Sequence, residues 1–235
     1  MIILNNLYIQ YIWLLILIAT VGTLIIAGAH YIAIGPNAKV LGKLKPEIQR
    51  LNFLEISSHF VRMTSTIILA ITGIAFAVYN NLGLSYQFLL HIHLFFAVLF
   101  ALSSLVSILI WIKDNTFKKY DWEWFKVMGG YLTKKEVHIP TGKFNAGQKL
   151  FYWFTTVLSI FIIFSGYLLT YPAQFSVYMV LLASIIHGVS AVMLIAGVIG
   201  HIYLGSFANP GTIGTITHGM VSKEWIKLHH PKWSD

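Results

Sequence analysis

Apolar residues fill five long stretches of this chain, at about 8–34, 56–80, 84–112, 147–170 and 176–206. Each exceeds the ~18 residues that mark a membrane-spanning helix. Polar and charged residues collect between them. The last stretch, SVYMVLLASIIHGVSAVMLIAGVIGHIYLGS, is interrupted by His187 and His201. Fourteen residues separate the two. That is close to four helical turns, so both project from one face, about 21 Å apart along the axis. Tyr171-Pro172 ends the fourth stretch, because proline disfavours helix in the residue before it. Asn209-Pro210-Gly211 breaks the chain after the fifth.

Composition sharpens the picture. The 235 residues are 57% hydrophobic and 10% charged, with mean hydropathy +0.74. Soluble domains carry about 25% charged residues. The chain is therefore expected to be an all-α integral membrane protein. It has no cysteine, which excludes disulfides, iron–sulfur clusters held by this chain and thiolate chemistry. The first stretch is too long for the apolar region of a signal peptide and lacks a basic leader, so it is read as a retained helix.

The net charge of +8 and pI near 9.6 have a topological cause. All sixteen Lys and Arg fall between or at the ends of stretches one and two, in or beside the connection 113–146, or in the tail. The N-terminus and the connections near 80–86 and 171–176 carry no charged side chain. With five spans these two sets alternate. The positive-inside rule then puts the N-terminus outside and the basic loops and C-terminus inside. The basic residues are orientation signal, and no nucleic-acid partner is implied. Trp111, Trp122, Trp124, Phe125 and Tyr131 suit the headgroup region, and DWEWFK is expected to lie flat on the inner surface.

Of ten histidines, His138, His218, His229 and His230 belong to the loop and tail. His30, His59, His91, His93, His187 and His201 lie in or beside spans. One such histidine is ordinarily a hydrogen bond to a neighbouring helix; six are harder to explain so, since ionisable groups within spans are costly and tend to serve a function. Alternating span directions put His59 and His201 near the inner face, and His91 or His93 level with His187 in the outer half. Two bis-histidine sites at two depths suit two b haems, which take axial imidazoles and need no cysteine. His91 and His93 point to different helix faces, and spacing does not choose between them. Gly73, Gly188 and Gly197 would admit a flat plate or pack helices. Zinc is disfavoured, because no carboxylate lies with these histidines inside the spans.

Four local motifs carry a family resemblance over about 52–233: His59 in HFVRMT, HLFFAVLF at 93–100, KFNAGQKLFYW at 143–153, and MVSKEWIKLHHPKW at 220–233. The chain resembles the cytochrome b (gamma) subunit of membrane-bound respiratory formate dehydrogenases. That family implies a four-helix bundle with two haems b at 36–235, with 1–35 as an additional N-terminal transmembrane helix. It implies His59 and His201 as ligands of the inner haem and His93 and His187 of the outer one, selecting His93 over His91. Asn145, Ala146, Gly147, Gln148 and His201 would form the site for menaquinone or a related quinone. Read from the residues alone, Asn145 is an N-cap and Gln148, three later, completes a capping box.

The resemblance further implies electrons arriving from an iron–sulfur (beta) subunit, which receives them from a molybdenum or tungsten subunit that oxidises formate. It places the chain in the bacterial cytoplasmic (inner) membrane as a quinone-reducing subunit, with the N-terminus periplasmic and the C-terminus cytoplasmic. The first span, with His30 as a spare ligand or proton-path group, lies outside the family pattern, as does His218. The rival readings are a related cytochrome b serving a hydrogenase or thiosulfate reductase, and a haem-free anchor or metal transporter.

Overall fold

The structure is a computed structural model that describes residues 2–36, 38–77, 85–135 and 137–233. Among these residues five helices are long and apolar enough to cross a membrane. They are α1 (Ile2–Ala33), α2 (Phe53–Ala77), α3 (Tyr86–Trp111), α5 (Ala146–Thr170) and α6 (Val177–Ile202). Short helices α4 (Asp121–Lys126), α7 (Gly214–Thr217) and α8 (Lys223–His229) lie in the connections. The protein is an all-α, multi-pass membrane protein. Helix α1 starts six residues earlier than the apolar pattern suggested. Asn5 explains this: it is buried, and its Oδ1 accepts from Ser184 Oγ at 2.7 Å. Helix α6 runs into a π-helical turn, Tyr203–Ala208, where Asn209 Nδ2 donates to Leu204 O at 2.7 Å. The last residues read for the second stretch and most of the uncharged connection near 80–86 lie outside the described residues.

The long helices are apolar on their outward faces and bury small polar side chains. Ser65, Thr72, Ser103, Ser104, Thr156, Ser159, Ser165 and Ser190 are buried, while Phe60, Ile71, Leu102, Leu109 and Phe164 are exposed. Apolar side chains gain nothing from hiding in a bilayer, so small residues and hydroxyls go where helices meet. Several hydroxyls bond back within their own helix, such as Thr72 to Ile68 O at 2.8 Å and Ser159 to Thr155 O at 2.6 Å.

The chain folds as two compact units. The first comprises Met1–Thr23, Val61–Leu105 and Thr155–Val198. In it Arg62, a cation within α2, donates to Ser159 Oγ at 3.1 Å and lies over the Phe100 ring. Helix α1 packs here through Tyr8, whose hydroxyl lies where a Cβ on Gly188 would stand. Gly188 is thus a helix-packing glycine.

The second unit comprises Leu24–Phe60, Val106–Phe154 and Ile199–Asp235. All the chain's Lys and Arg except Arg62 lie in it. Two of its helices start with the same device. Asn52 Oδ1 accepts from Glu55 N and Glu55 Oε2 from Asn52 N, at 2.9 and 2.8 Å. Asn145 and Gln148 repeat this for α5, at 2.9 and 3.0 Å. Each satisfies two backbone donors that a helix start otherwise leaves open. A two-residue antiparallel ladder, β1 (Ile48–Gln49) with β2 (Met220–Val221), joins the α1–α2 connection to the tail, in register Ile48↔Val221. Leu41, Val221, Trp225 and Ile226 form a small apolar core around it.

Gly188→Val should destabilise the protein by about 1–3 kcal/mol through overpacking against Tyr8. Adding Tyr8→Ala should restore part of that loss, as read by thermal melting in detergent. Equal melting points for Gly188→Val and the parent would show that α1 does not pack there.

Candidate functional site

Two histidine pairs stand in the molecule, one in each unit. In the first unit His93 of α3 and His187 of α6 have ring centroids 6.3 Å apart. Of the two neighbouring histidines, His93 is the one that meets His187; His91 is exposed. In the second unit His59 of α2 and His201 of α6 have ring centroids 6.4 Å apart. A metal-bound imidazole nitrogen lies about 2 Å from the metal and about 1.1 Å from its own ring centroid, so two rings sharing one ion stand at most about 6.2 Å apart. Both pairs are close to that upper separation. Among the described residues no cluster of three or more His, Asp or Glu could hold an ion.

The first pair has its tautomers set by its surroundings. His187 Nδ1 lies 3.1 Å from Ile162 O and 3.2 Å from Ser165 Oγ. A carbonyl only accepts, so Nδ1 carries the proton and Nε2 keeps its lone pair. His93 Nδ1 lies 2.7 Å from Thr72 Oγ1. That hydroxyl spends its own proton on Ile68 O at 2.8 Å, so it accepts from His93. A ligating histidine characteristically donates its other N–H in this way. A glycine follows each hydroxyl. A Cβ at Gly73 would sit 3.9 Å from His93 Cε1, and one at Gly166 would sit 3.2 Å from His187 Cε1. Thr72-Gly73 and Ser165-Gly166 are therefore matching hydroxyl–glycine steps beside the two rings. Sequence reasoning found Gly73 but missed Thr72, Ser165 and Gly166. The signal was present as two Ser/Thr-Gly dipeptides inside spans.

In the second unit Phe151 stacks on His201 at 4.3 Å with planes 2° apart. One turn before Phe151 lies the segment 145–148. Its amide oxygens are both used in the α5 capping box. The Asn145 and Asn209 side chains also hydrogen-bond the Tyr131 phenol, whose pKa burial raises. Ala146 is fully buried against Trp124 and Ile139. Trp124 also takes the space a Cβ on Gly147 would need, 2.5 Å from its Cζ2. Residues 145–148 thus have a structural role in full, with or without a ligand.

Arg50, not singled out in the sequence beyond its charge, organises what lies around them. It is 4% exposed. Its guanidinium donates to Lys143 O at 2.9 Å, His230 Nε2 at 3.1 Å, Thr215 Oγ1 at 3.3 Å and Gln148 Oε1 at 3.5 Å. Trp225 lies beneath it at 4.7 Å. Burial pulls its pKa down to about 9 against the pull of Glu55, leaving it charged at neutral pH. Glu55 accepts from Lys143 Nζ at 2.7 Å and Trp111 Nε1 at 2.9 Å. His230 donates from Nδ1 to Gly142 O at 2.7 Å, which leaves Nε2 as the acceptor for Arg50. His30, at the end of α1, bonds the Tyr203 hydroxyl at 2.5 Å and Tyr131 O at 2.7 Å. Both its ring nitrogens are thereby engaged by the protein. His138 is exposed, and His218 Nδ1 accepts from Met220 N at 3.2 Å.

Paired imidazoles within membrane-spanning helices fit a membrane cytochrome of the b type. The chain belongs to the prokaryotic cytochrome b561 family, whose model matches residues 50–223. It is similar to the formate dehydrogenase cytochrome b556(fdo) subunit of Escherichia coli strain K12, at 27% identity over 81% of this chain and 93% of the relative. The nitrate-inducible formate dehydrogenase cytochrome b556(Fdn) subunit of the same strain is 26% identical over 79% of this chain and 89% of its own length. The formate dehydrogenase cytochrome b556 subunit of Haemophilus influenzae is 30% identical over 60% of this chain and 61% of its own. The chain is accordingly a membrane electron-transfer protein, and its cofactor class is haem b. The residues fit that group: each pair offers two imidazoles close to the separation one iron requires, and in the first pair both free lone pairs are at Nε2.

The tail carries a pH dependence. Burial, reinforced by the Arg50 charge, holds His230 well below the usual imidazole range and His229 at about 4. Both are neutral when folded at pH 7. The unfolded chain takes up these protons below about pH 6.5, so it binds more protons than the folded one and stability falls as pH drops from there toward 4. Hydrogen-exchange protection of residues 220–230 should decline over that window. The decline should be shallower in His230→Asn, which can still donate to Gly142 O. Constant protection down to about pH 4 would contradict this account.

Proposed function

We propose that this chain is the membrane anchor and electron-transfer subunit of a respiratory formate dehydrogenase. In this reading it passes electrons from an iron–sulfur subunit through two b haems to menaquinone or a related quinone. The observation that carries the proposal is the pair of histidine pairs at 6.3 and 6.4 Å. The names of the relatives favour formate as the ultimate donor. Each haem, when bound, carries one electron at a time between its iron and a neighbouring centre.

His93 and His187 would hold one haem iron through Nε2, with Thr72, Ser165 and Ile162 fixing the ring orientations. His59 and His201 would hold the other, with Phe151 stacked on the His201 ring. Helix α6 gives one ligand to each pair. Residues 1–35 are an added helix on a four-helix cytochrome, a division supported by the family match beginning at residue 50. The concentration of lysine and arginine in the second unit supports placing that unit at the cytoplasmic face and the N-terminus in the periplasm. In that orientation the His93–His187 pair would serve electron entry and the His59–His201 pair delivery toward the quinone.

Quinone is reduced beside His201 and residues 145–148. The amide oxygens of Asn145 and Gln148 are committed to the capping box. Donors to a quinone oxygen are then the Gln148 NH2 and the backbone N–H groups of Ala146 and Gly147, which no carbonyl within the helix reaches. The positive end of α5 favours the negative charge that develops on that oxygen. Protons for the quinol come from the cytoplasmic side, so the reaction separates charge across the membrane.

Purified protein should show a b-type α band in a reduced-minus-oxidised spectrum. His59→Ala and His201→Ala should each remove the same haem and leave the other intact. Loss of both haems from well-folded protein, or survival of both, would overturn the pairing.

The quinone site needs a test that separates binding from capping. Gln148→Glu keeps an acceptor oxygen for the cap and removes the NH2 donor. It should slow quinol formation about tenfold, the worth of one hydrogen bond, with haem content unchanged. Unchanged turnover would move the site elsewhere. The donor is tested by identifying the subunits that co-purify with the chain; a hydrogenase or sulfur-compound reductase among them would displace formate.

A further inference from the structure

A cavity of about 310 Å³ opens in the second unit where α3 ends and α5 begins. Five lysines line it: Lys113, Lys118, Lys143, Lys149 and Lys232, with Asp114 as the one acidic lining residue. Two of the ammonium groups are already matched. Lys149, 2% exposed, pairs with Asp121 at 2.8 Å and donates to Thr116 O at 3.1 Å. Lys143 pairs with Glu55 at 2.7 Å and with Asp114 at 3.3 Å. Among the described residues Lys113, Lys118 and Lys232 form no ion pair. Five ammonium groups thus face three carboxylates, an excess of two positive charges around one concavity.

The walls are aromatic. Lys232 Nζ lies 5.1 Å from the Tyr120 ring centroid and Lys149 Nζ lies 5.4 Å from it, and Phe144 and Trp233 complete the lining. Lys113 follows the α3 terminus at Trp111 by two residues, and Lys149 sits in the first turn of α5. Span ends lie at the level of lipid headgroups, where lysine and aromatic rings are at home. Lysine binds phosphate as a compact point charge, and basic pockets beside transmembrane helices suit anionic headgroups.

We propose that this cavity binds a phosphate group, supplied by an anionic phospholipid headgroup or by free phosphate. Lys113, Lys118 and Lys232 supply the unmatched charge. Lys143 and Lys149, held in place by their carboxylates, shape the floor. Occupation would tie the 113–146 connection to the membrane surface without any role for the histidine pairs.

The test is native mass spectrometry of the full chain, purified with its cofactors, with added phosphatidylglycerol or phosphatidylcholine. The chain should retain phosphatidylglycerol at least about fivefold better than phosphatidylcholine. The triple substitution Lys113→Gln, Lys118→Gln, Lys232→Gln should abolish the preference. The corresponding arginine triple should keep it, as should Lys39→Gln, Lys45→Gln, Lys227→Gln, which removes equal charge elsewhere. Displacement of the lipid by millimolar inorganic phosphate, but not by chloride at equal ionic strength, would assign the site to the free anion; resistance to both would assign it to the lipid. Neither lipid preference nor phosphate binding in the parent chain would overturn the proposal. So would undiminished binding in the glutamine triple, loss in the arginine triple, or equal loss in the control.

Discussion

An imidazole inside hydrocarbon has two nitrogens to account for, and that requirement shapes the two units. A buried N–H without an acceptor costs about 1–3 kcal/mol. The first unit meets the cost at His93 and His187 by placing a hydroxyl, and at His187 also a carbonyl, against Nδ1. This leaves Nε2 of each ring as an acceptor. The glycine after each hydroxyl lets the ring lie close to the neighbouring backbone. Buried hydroxyls and small residues elsewhere in the spans follow the same logic, with bulky apolar side chains turned outward.

The second unit solves a different problem. It holds nearly all the chain's cations, and several are buried. Arg50 is neutralised in part by Glu55 and wrapped by a carbonyl, a hydroxyl, an amide oxygen and a ring nitrogen. Such a group is costly to place and strongly destabilising to leave half-paired, so its partners are locked in position. One partner is Gln148. Its amide oxygen closes the α5 cap and accepts from Arg50, which turns its NH2 away from both. A residue that looks like a simple cap is thus oriented from two sides, and the proposed quinone contact uses the only part of it that remains.

Much of this was legible in the sequence. Five spans followed from apolar length, and the capping box at 145–148 from Asn and Gln three apart. The histidine pairs followed from counting turns and alternating directions. What was not legible depends on contacts far apart in the chain. Helix spacing does not separate His93 from His91; the family motif at 93–100 favours His93, and the fold brings that ring beside His187. Arg50 reads as one more basic residue until Lys143, Thr215 and His230 gather around it. The start of α1 lay outside the apolar pattern because Asn5 and Asn6 precede the apolar run, and the Ser184 bond to Asn5 exists only in the fold. Gly188 had two readings, and the Tyr8 hydroxyl settles it as a packing residue.

The β1–β2 ladder has a consequence for how the molecule is made. Ile48 belongs to the early chain and Val221 to its late part, and they are neighbours in the register. At about 5–20 residues per second of synthesis, about nine to thirty-five seconds separate their emergence. Until the later strand arrives, Arg50 lacks His230 and Trp225, and the core around Leu41 has no Val221 or Ile226. The second unit therefore cannot close while the chain is being built. It remains open through the insertion of every span, and the tail is the latch that shuts it.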